Sequence, residues 1–260
     1  MIRLLRGGTI LGDYKLLALD MDGTLLNEQS EISAENAEWI QKALDAGVIV
    51  IFSTGRGFRS ALPFAEQLKL ETPMITVNGS EIWHRPHVLH KRTHLSAVYV
   101  QRLHELALAH GEPWFWAYTA DEIYNKEKWI SPAGDYASHH WLKFGYYTED
   151  DSIREKLLAE VQSWGALEIT NSSPHNLELN PLGVSKASAL QELCGLLNIE
   201  MSQVIAVGDS LNDIAAIREA GLGVAMGNAQ EAVKEAADFI TFTNNEHGVA
   251  EVIKRYVLKG

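Results

Sequence analysis

An α/β fold, with a doubly wound parallel sheet interrupted by an inserted α+β domain, is predicted by three features of the sequence. Short apolar runs alternate with amphipathic helical stretches at both ends of the chain. Polar clusters fall where four of those apolar runs stop. A middle block from about Glu81 to Pro181 breaks the alternation and carries five tryptophans between Trp114 and Trp164.

Taken in order, Lys15–Leu19 reads as a buried strand that ends at Asp20. Ser33 to Ala46 reads as a helix, with Ser33 as N-cap, an apolar stripe of Trp39, Ile40, Ala43 and Leu44, and Gly47 as terminator. VIVIFSTGR from Val48 is a second strand. A helix to about Leu70 and the strand PMITVNGS follow. The middle block offers the strands PWFWAYT and WLKFGYY, with helices over Ala97–Ala109 and Asp151–Ser163. After Gly183 the alternation resumes: a helix from Ser185 to about Leu197, the strand SQVIAVGD, a helix over LNDIAAIREA and the strand GVAM. A helix to Ala236, the strand DFITFT and a last helix over GVAEVIKRYV complete it. The expected boundaries are 14–81 and 182–260 for the core and 82–181 for the insertion, with 1–13 a disordered lead-in.

A length of 260 residues suffices for such a core plus insertion. The net charge of −12 argues against a nucleic-acid or anionic-membrane surface. No apolar stretch approaches the ~20 residues that span a bilayer, and the N-terminus lacks a signal-peptide pattern. A cytoplasmic setting is the expectation. Cys194 is the only cysteine, which excludes an intrachain disulfide and a multi-thiolate zinc site. Its surroundings, LQELCGLLNI, read as the buried face of a helix. The chain carries no legible oligomeric state.

The polar clusters are Asp20-Met21-Asp22, Ser53-Thr54-Gly55-Arg56, Asn78-Gly79 and Gly208-Asp209-Ser210. In open α/β sheets, ligands bind beyond the carboxyl ends of the strands, so neighbouring strands would bring these clusters to one crevice. In an extended segment Asp20 and Asp22 point the same way. Two such carboxylates repel, and Asp209 adds a third. That cluster makes sense around a hard cation such as Mg2+, shared with phosphate oxygens. Asp20 then suits a nucleophile that forms an aspartyl-phosphate, and Asp22 an acid/base for the leaving group and water. Thr54 and Lys186 suit the phosphate oxygens.

The stretches DMDGTLL from Asp20, STGR from Ser53, GVSK from Gly183 and GDSLND from Gly208 resemble, in that order, the four motifs of the haloacid dehalogenase superfamily. GVAMGNA from Gly223 and NNEHGVA from Asn244 are similar to its Cof-type subclass IIB phosphatases, with an α/β cap inserted between the second and third motifs. The resemblance runs from about Tyr14 to the C-terminus, with Ser80 in place of a more usual alanine. It implies a Rossmann-like core and Mg2+-dependent hydrolysis of small phosphorylated metabolites, with the cap choosing the substrate. It further implies that Asp20 and Asp22 are catalytic. The metal would be held by Asp20, the Asp22 carbonyl and Asp209, with Ser210 close by and Asp213 in support. The Met21 amide, Thr54, Gly55, Lys186 and Asn212 would hold the phosphate. Candidate substrates are 5-amino-6-(5-phospho-D-ribitylamino)uracil, sugar phosphates and pyridoxal phosphate. The aromatic-rich insertion favours a substrate with a flat ring, and 5-amino-6-(5-phospho-D-ribitylamino)uracil ranks first among the candidates.

Three other readings carry less. Gly55-Arg56-Gly57 opens like a dinucleotide fingerprint, but Ser60 stands where its third glycine belongs. His139 and His140 are adjacent, so on a strand they face opposite ways and make a poor joint metal site. A sugar phosphomutase would share the aspartyl-phosphate chemistry. A receiver-like phospho-acceptor would lack the second acid at i+2 and the cap.

Overall fold

The computed structural model describes residues 14–130 and 135–258. The expected lead-in, residues 1–13, lies outside the described residues. The chain divides into two compact units. The larger takes the described residues up to His90 and those from Lys186 on, and the smaller spans Lys91–Ser185.

In the larger unit, β1 (Leu16–Leu19) is buried along its whole length. It lies between two parallel neighbours, β2 (Ile49–Ser53) on one side and β11 (Val204–Gly208) on the other, with Leu16 opposite both Ile49 and Val204. A strand buried on both faces has no polar side to present, which is why LLAL reads as a continuous apolar run. Between β1 and β2 runs α1 (Ala34–Asp45), capped by the Ser33 hydroxyl accepting from the Asn36 amide at 3.1 Å. Next comes α2 (Phe58–Gln67), shorter than expected because it ends before Leu68, and then β3 (Met74–Thr76), parallel to β2.

Here the sheet departs from the expectation of purely parallel strands. β4 (Glu81–Arg85) runs antiparallel to β3, with Met74 opposite Trp83, and β5 (Val88–Arg92) follows at the edge. Residues from Glu81 therefore extend this sheet instead of opening the insertion, and the divisions fall after His90 and after Ser185.

The smaller unit begins with α3 (Ala97–Ala109), β6 (Trp114–Thr119) and β7 (Ile123–Asn125). β8 (Trp141–Tyr147), α4 (Asp151–Trp164), β9 (Leu167–Thr170) and β10 (Asn176–Pro181) complete it. Its sheet is antiparallel in the order β7-β6-β8-β10-β9. Most of its aromatic residues build its own core, among them Phe115, Trp141, Phe144 and Tyr146. His139 lies against Trp141 at 5.1 Å between ring centroids, whereas His140 lies near His94 at 5.0 Å.

His104 sits in that core with its Nδ1 2.7 Å from the Tyr136 hydroxyl and its ring 4.7 Å from Trp129. Burial holds its pKa below the ordinary histidine value, against a smaller opposing pull from Glu105. The unfolded chain therefore takes up this proton first as pH falls through about 6.5. The stability that neutral His104 contributes is complete above that point and is lost on acidification toward its lower folded pKa. Thermal melts between pH 5 and 8 are expected to fall more steeply on the acid side for the wild type than for His104→Gln.

The larger unit resumes with α5 (Lys186–Leu197), and then β11 leads through a 3-10 turn at Leu211–Asp213 into α6 (Ile214–Glu219). Cys194 is buried on α5, and burial pushes its thiol up to about 11. β12 (Leu222–Ala225), α7 (Glu231–Ala236), the two-residue β13 (Phe239–Ile240) and α8 (Gly248–Val252) finish the unit. Its sheet order is β13-β12-β11-β1-β2-β3-β4-β5. The order reverses at β1, whose sequence successor lies on one side and β11 on the other. In such sheets ligands bind beyond the carboxyl ends of the strands where the order reverses, and Asp20 stands there.

Candidate active site

Asp20 is the first residue past β1, and its amide donates to the Val207 carbonyl at 3.0 Å, so the two central strands fix it together. Its carboxylate is buried and receives the Lys186 ammonium at 2.6 Å. Lys186, itself 1% exposed, opens α5 and also reaches Asp213 Oδ1 at 2.8 Å. The other Asp213 oxygen accepts from the backbone amides of Asp209 at 3.1 Å and Ser210 at 3.2 Å. Gly208 makes this possible. A Cβ there would lie 2.2 Å from Asp213 Cγ.

Asp209 is held from two directions. Thr24 Oγ1 donates to its Oδ1 and Ser210 Oγ to its Oδ2, each at 3.1 Å. Thr54 follows β2, its amide donates to the Ile75 carbonyl at 2.9 Å, and its hydroxyl accepts from the Arg56 amide at 3.1 Å. Asn212 is buried, with Nδ2 donating to Asn78 Oδ1 at 3.2 Å. Its own Oδ1 has no protein partner. Asn78 is presented by a turn in which Val77 and Asn78 adopt φ of 53° and 56°. A β-branched residue in that region is strained, and such strain clusters at functional sites.

Asp22 lies two residues past the buried Asp20 and is exposed. Strand geometry ends at Leu19, a turn begins at Met21, and Met21 is driven fully into the core. The i, i+2 rule therefore carries no argument past Leu19. The Asp22 side chain is 57% exposed and meets Arg56 as a fork, Nε to Oδ2 at 2.7 Å and Nη2 to Oδ1 at 2.6 Å. Bidentate pairing fixes a carboxylate in plane as well as in distance.

Electrostatics follow from this geometry. Burial raises the Asp20 pKa well above the ordinary carboxylate range, Asp213 and Asp209 add to the rise, and Lys186 opposes it. Burial likewise pushes Asp209 up to about 6, with Asp213 adding to it. Burial disfavours the charged form of Lys186, but attraction to Asp20 and Asp213 outweighs it and keeps the ammonium protonated. Three carboxylates thus share one cation, and ligand atoms from Asp20, Asp209 and Asp213 lie within 4.8 Å of one another. Gly23, at φ 77°, leaves the space open, since a Cβ there would approach Asp209 Oδ2 to 2.5 Å. An all-oxygen donor set with surplus negative charge fits a hard divalent cation.

Arg56, Thr24, Asn78 and Asn228 have roles that sequence reasoning did not assign. Arg56 and Asn78 lay inside quoted strand-end clusters. Asn228 lies in GVAMGNA and donates from Nδ2 to the Gly23 carbonyl at 2.7 Å, which ties a distant loop to the turn after Asp20. Only its place in a Gly-rich segment could have signalled this.

A model of haloacid dehalogenase-like hydrolases matches residues 17–253. The chain belongs to that family. Within it, the hydrolase is 49% identical, over 95% of its length and 97% of the relative's, to the 5-amino-6-(5-phospho-D-ribitylamino)uracil phosphatase YcsE of Bacillus subtilis. It is 30% identical to YitU of the same organism, a phosphatase of the same name, over 93% of its length and 97% of the relative's. A solved haloacid dehalogenase-like hydrolase from B. subtilis superposes with a TM-score of 0.85 at 27% identity, covering 94% of this chain and all of that one. The hydrolase is accordingly a Cof-type phosphatase, and a divalent metal belongs to the family's chemistry. Among the described residues no helix is long and apolar enough to cross a membrane.

Proposed function

We propose that this phosphatase hydrolyses 5-amino-6-(5-phospho-D-ribitylamino)uracil with Mg2+, through a phosphoryl group carried on Asp20. The chemistry rests above all on the buried Asp20–Lys186–Asp213 chain at the end of β1, beside Asp209. The substrate rests on likeness to YcsE.

A carboxylate oxygen of Asp20 attacks phosphorus while the bond to the ribityl oxygen breaks. Asp22 gives a proton to that leaving oxygen, then takes one from the water that hydrolyses the acyl phosphate. Arg56 is a positioning residue that holds Asp22. Phosphate oxygens are received by the Thr54 hydroxyl, the amides of Met21 and Gly55, the Asn212 side chain and the Lys186 ammonium. These are fixed donors of the kind that stabilise charge developing during transfer. Asp20, the Asp22 carbonyl, Asp209 and Ser210 would hold Mg2+, and Asp213, whose oxygens already face Lys186 and two amides, would brace the set. When bound, the ion supplies the positive charge that three carboxylates and a phosphate require. We assign substrate choice to the inserted unit. A cytoplasmic setting agrees with a small phosphorylated metabolite as substrate and with a lone cysteine.

Phosphate release from this compound, from sugar phosphates and from pyridoxal phosphate, each with Mg2+ and with EDTA, tests the reading. Metal-dependent release with the highest kcat/KM for the aminouracil phosphate is expected. A clear preference for a sugar phosphate or pyridoxal phosphate would reassign the substrate, and full activity in EDTA would remove the metal. Replacing the fork by Arg56→Ala is expected to lower kcat by about 10- to 100-fold through misplacement of Asp22. The same steady-state assay would show a KM change alone if Arg56 instead bound substrate.

A further inference from the structure

A small cavity lies inside the larger unit, next to the buried carboxylates. β1, β2, β11 and α6 line it through Ala18, Ser53, Ala206 and Ala216, and Asp213 stands in its wall. Each of these five residues is 5% exposed or less. The centre of a water molecule can occupy about 10 Å3 of it, which is the room one water needs. Three alanines leave that space because no side chain of theirs extends past Cβ. Protein interiors seldom leave such gaps, since the lining atoms lose contacts that a larger apolar side chain would supply. Gaps that stay dry are apolar. This one is lined by a hydroxyl and a carboxylate.

The two polar groups fall short of full hydrogen bonding in complementary ways. Among the described residues, Ser53 Oγ is buried without a partner. Asp213 accepts three bonds, from Lys186 on Oδ1 and from the amides of Asp209 and Ser210 on Oδ2. A carboxylate has about four lone-pair sites, so Oδ1 keeps one. A hydroxyl that needs an acceptor, an acceptor site to spare and a water-sized space therefore meet in one cavity. Ser53 is also the last residue of β2, directly before Thr54.

We propose that one water molecule sits in this cavity, accepting from the Ser53 hydroxyl and donating to Asp213 Oδ1. A bridging water holds its two partners nearly as well as a direct hydrogen bond does. Ser53 is thereby a positioning residue. Through the water it fixes the Asp213 carboxylate, and that carboxylate holds the Lys186 ammonium beside Asp20. The other partners of Asp213 are Lys186 itself and two amides of its own turn, so the water is what ties it to β2. β2 then anchors two parts of the site, Thr54 directly and Lys186 by relay. The inference rests on Asp213 bracing Lys186 for phosphoryl transfer, whichever phosphate ester is the substrate.

The test joins crystallography to kinetics on the full-length enzyme with Mg2+. A crystal structure that resolves ordered waters is expected to show one within hydrogen-bond distance of both Ser53 Oγ and Asp213 Oδ1, and Ser53→Ala is expected to lose it. With p-nitrophenyl phosphate as probe, Ser53→Ala is expected to lower kcat about five- to tenfold at unchanged KM, short of the roughly 10²-fold that a full 1 Å misplacement can cost. In an Asp213→Asn background the same change is expected to alter kcat by less than about twofold, because the relay is already cut. A dry cavity with Ser53 Oγ bonded to a backbone carbonyl would overturn the proposal. So would an equal loss in both backgrounds, which marks a merely structural role, or an unchanged kcat in Ser53→Ala. If Asp213→Asn alone keeps the wild-type kcat, the bracing reading itself fails and takes the positioning role with it. If Asp213→Asn is impaired but Ser53→Ala is not, the inference about Ser53 alone fails.

Discussion

Asp20→Asn is expected to lower kcat by on the order of 10⁴-fold or more, because it removes the attacking oxygen and no neighbour can replace it. Asp22, the nearest acid in sequence, is held by Arg56, and Asp213 already spends both oxygens on Lys186 and two amides. The same substitution has an opposite effect on the fold. Burial raises the Asp20 pKa in the folded state, with Asp213 and Asp209 adding to it, so ionising this group costs more in the folded chain than in the unfolded one. That cost is absent below the unfolded pKa and is fully present once pH passes the folded value. Asparagine keeps the size and removes the charge. In EDTA at neutral pH the variant is expected to melt no lower than the wild type, and in Mg2+ to gain less from the ion than the wild type does. A thermal melt beside the activity assay therefore separates lost chemistry from lost structure.

Lys186→Met is expected to damage both. The ammonium is the common partner of Asp20 and Asp213, and its removal leaves two buried carboxylates facing each other without a cation. Breaking a buried pair from one side typically costs about 3–5 kcal/mol. Loss of a preorganised charge beside the phosphate lowers kcat by about 10²–10³-fold. Urea denaturation in EDTA measures the first effect and phosphate release the second. In the Lys186→Met/Asp20→Asn double variant much of the stability loss is expected to return, because one of the stranded charges is gone. Additive losses in that cycle would mean that the two side chains are not coupled as their 2.6 Å separation requires.

The main outline of the larger unit could be read from the chain because its strands are buried on both sides and so appear as uninterrupted apolar runs that stop at polar residues. Asp20, Thr54 and Asp209 were legible for that reason: each marks the point where such a run ends. Lys186 was legible through its motif. The Asp22–Arg56 fork was not, because its partners lie 34 residues apart. The β4 pairing was hidden for another reason. Glu81–Arg85 looks like any short strand, and only the hydrogen bonds to Met74–Thr76 assign it to the larger sheet. Likewise Lys143 is visible as a charge inside WLKFGYY, but its partner Glu178 lies 35 residues away on another strand. Long-range pairs of this kind, including Asn228 with Gly23, come from tertiary packing and leave no local pattern.

The central claim is that phosphate passes through Asp20. The most direct measurement is to quench the enzyme with acid during turnover of the aminouracil phosphate, reduce it with borohydride, and sequence its peptides by mass spectrometry. Reduction of an aspartyl-phosphate yields homoserine, and homoserine at position 20, absent from enzyme quenched without substrate, is the predicted result. Substrate consumed at full rate with Asp20 always recovered as unmodified aspartate, or the label found at another carboxylate, would contradict it.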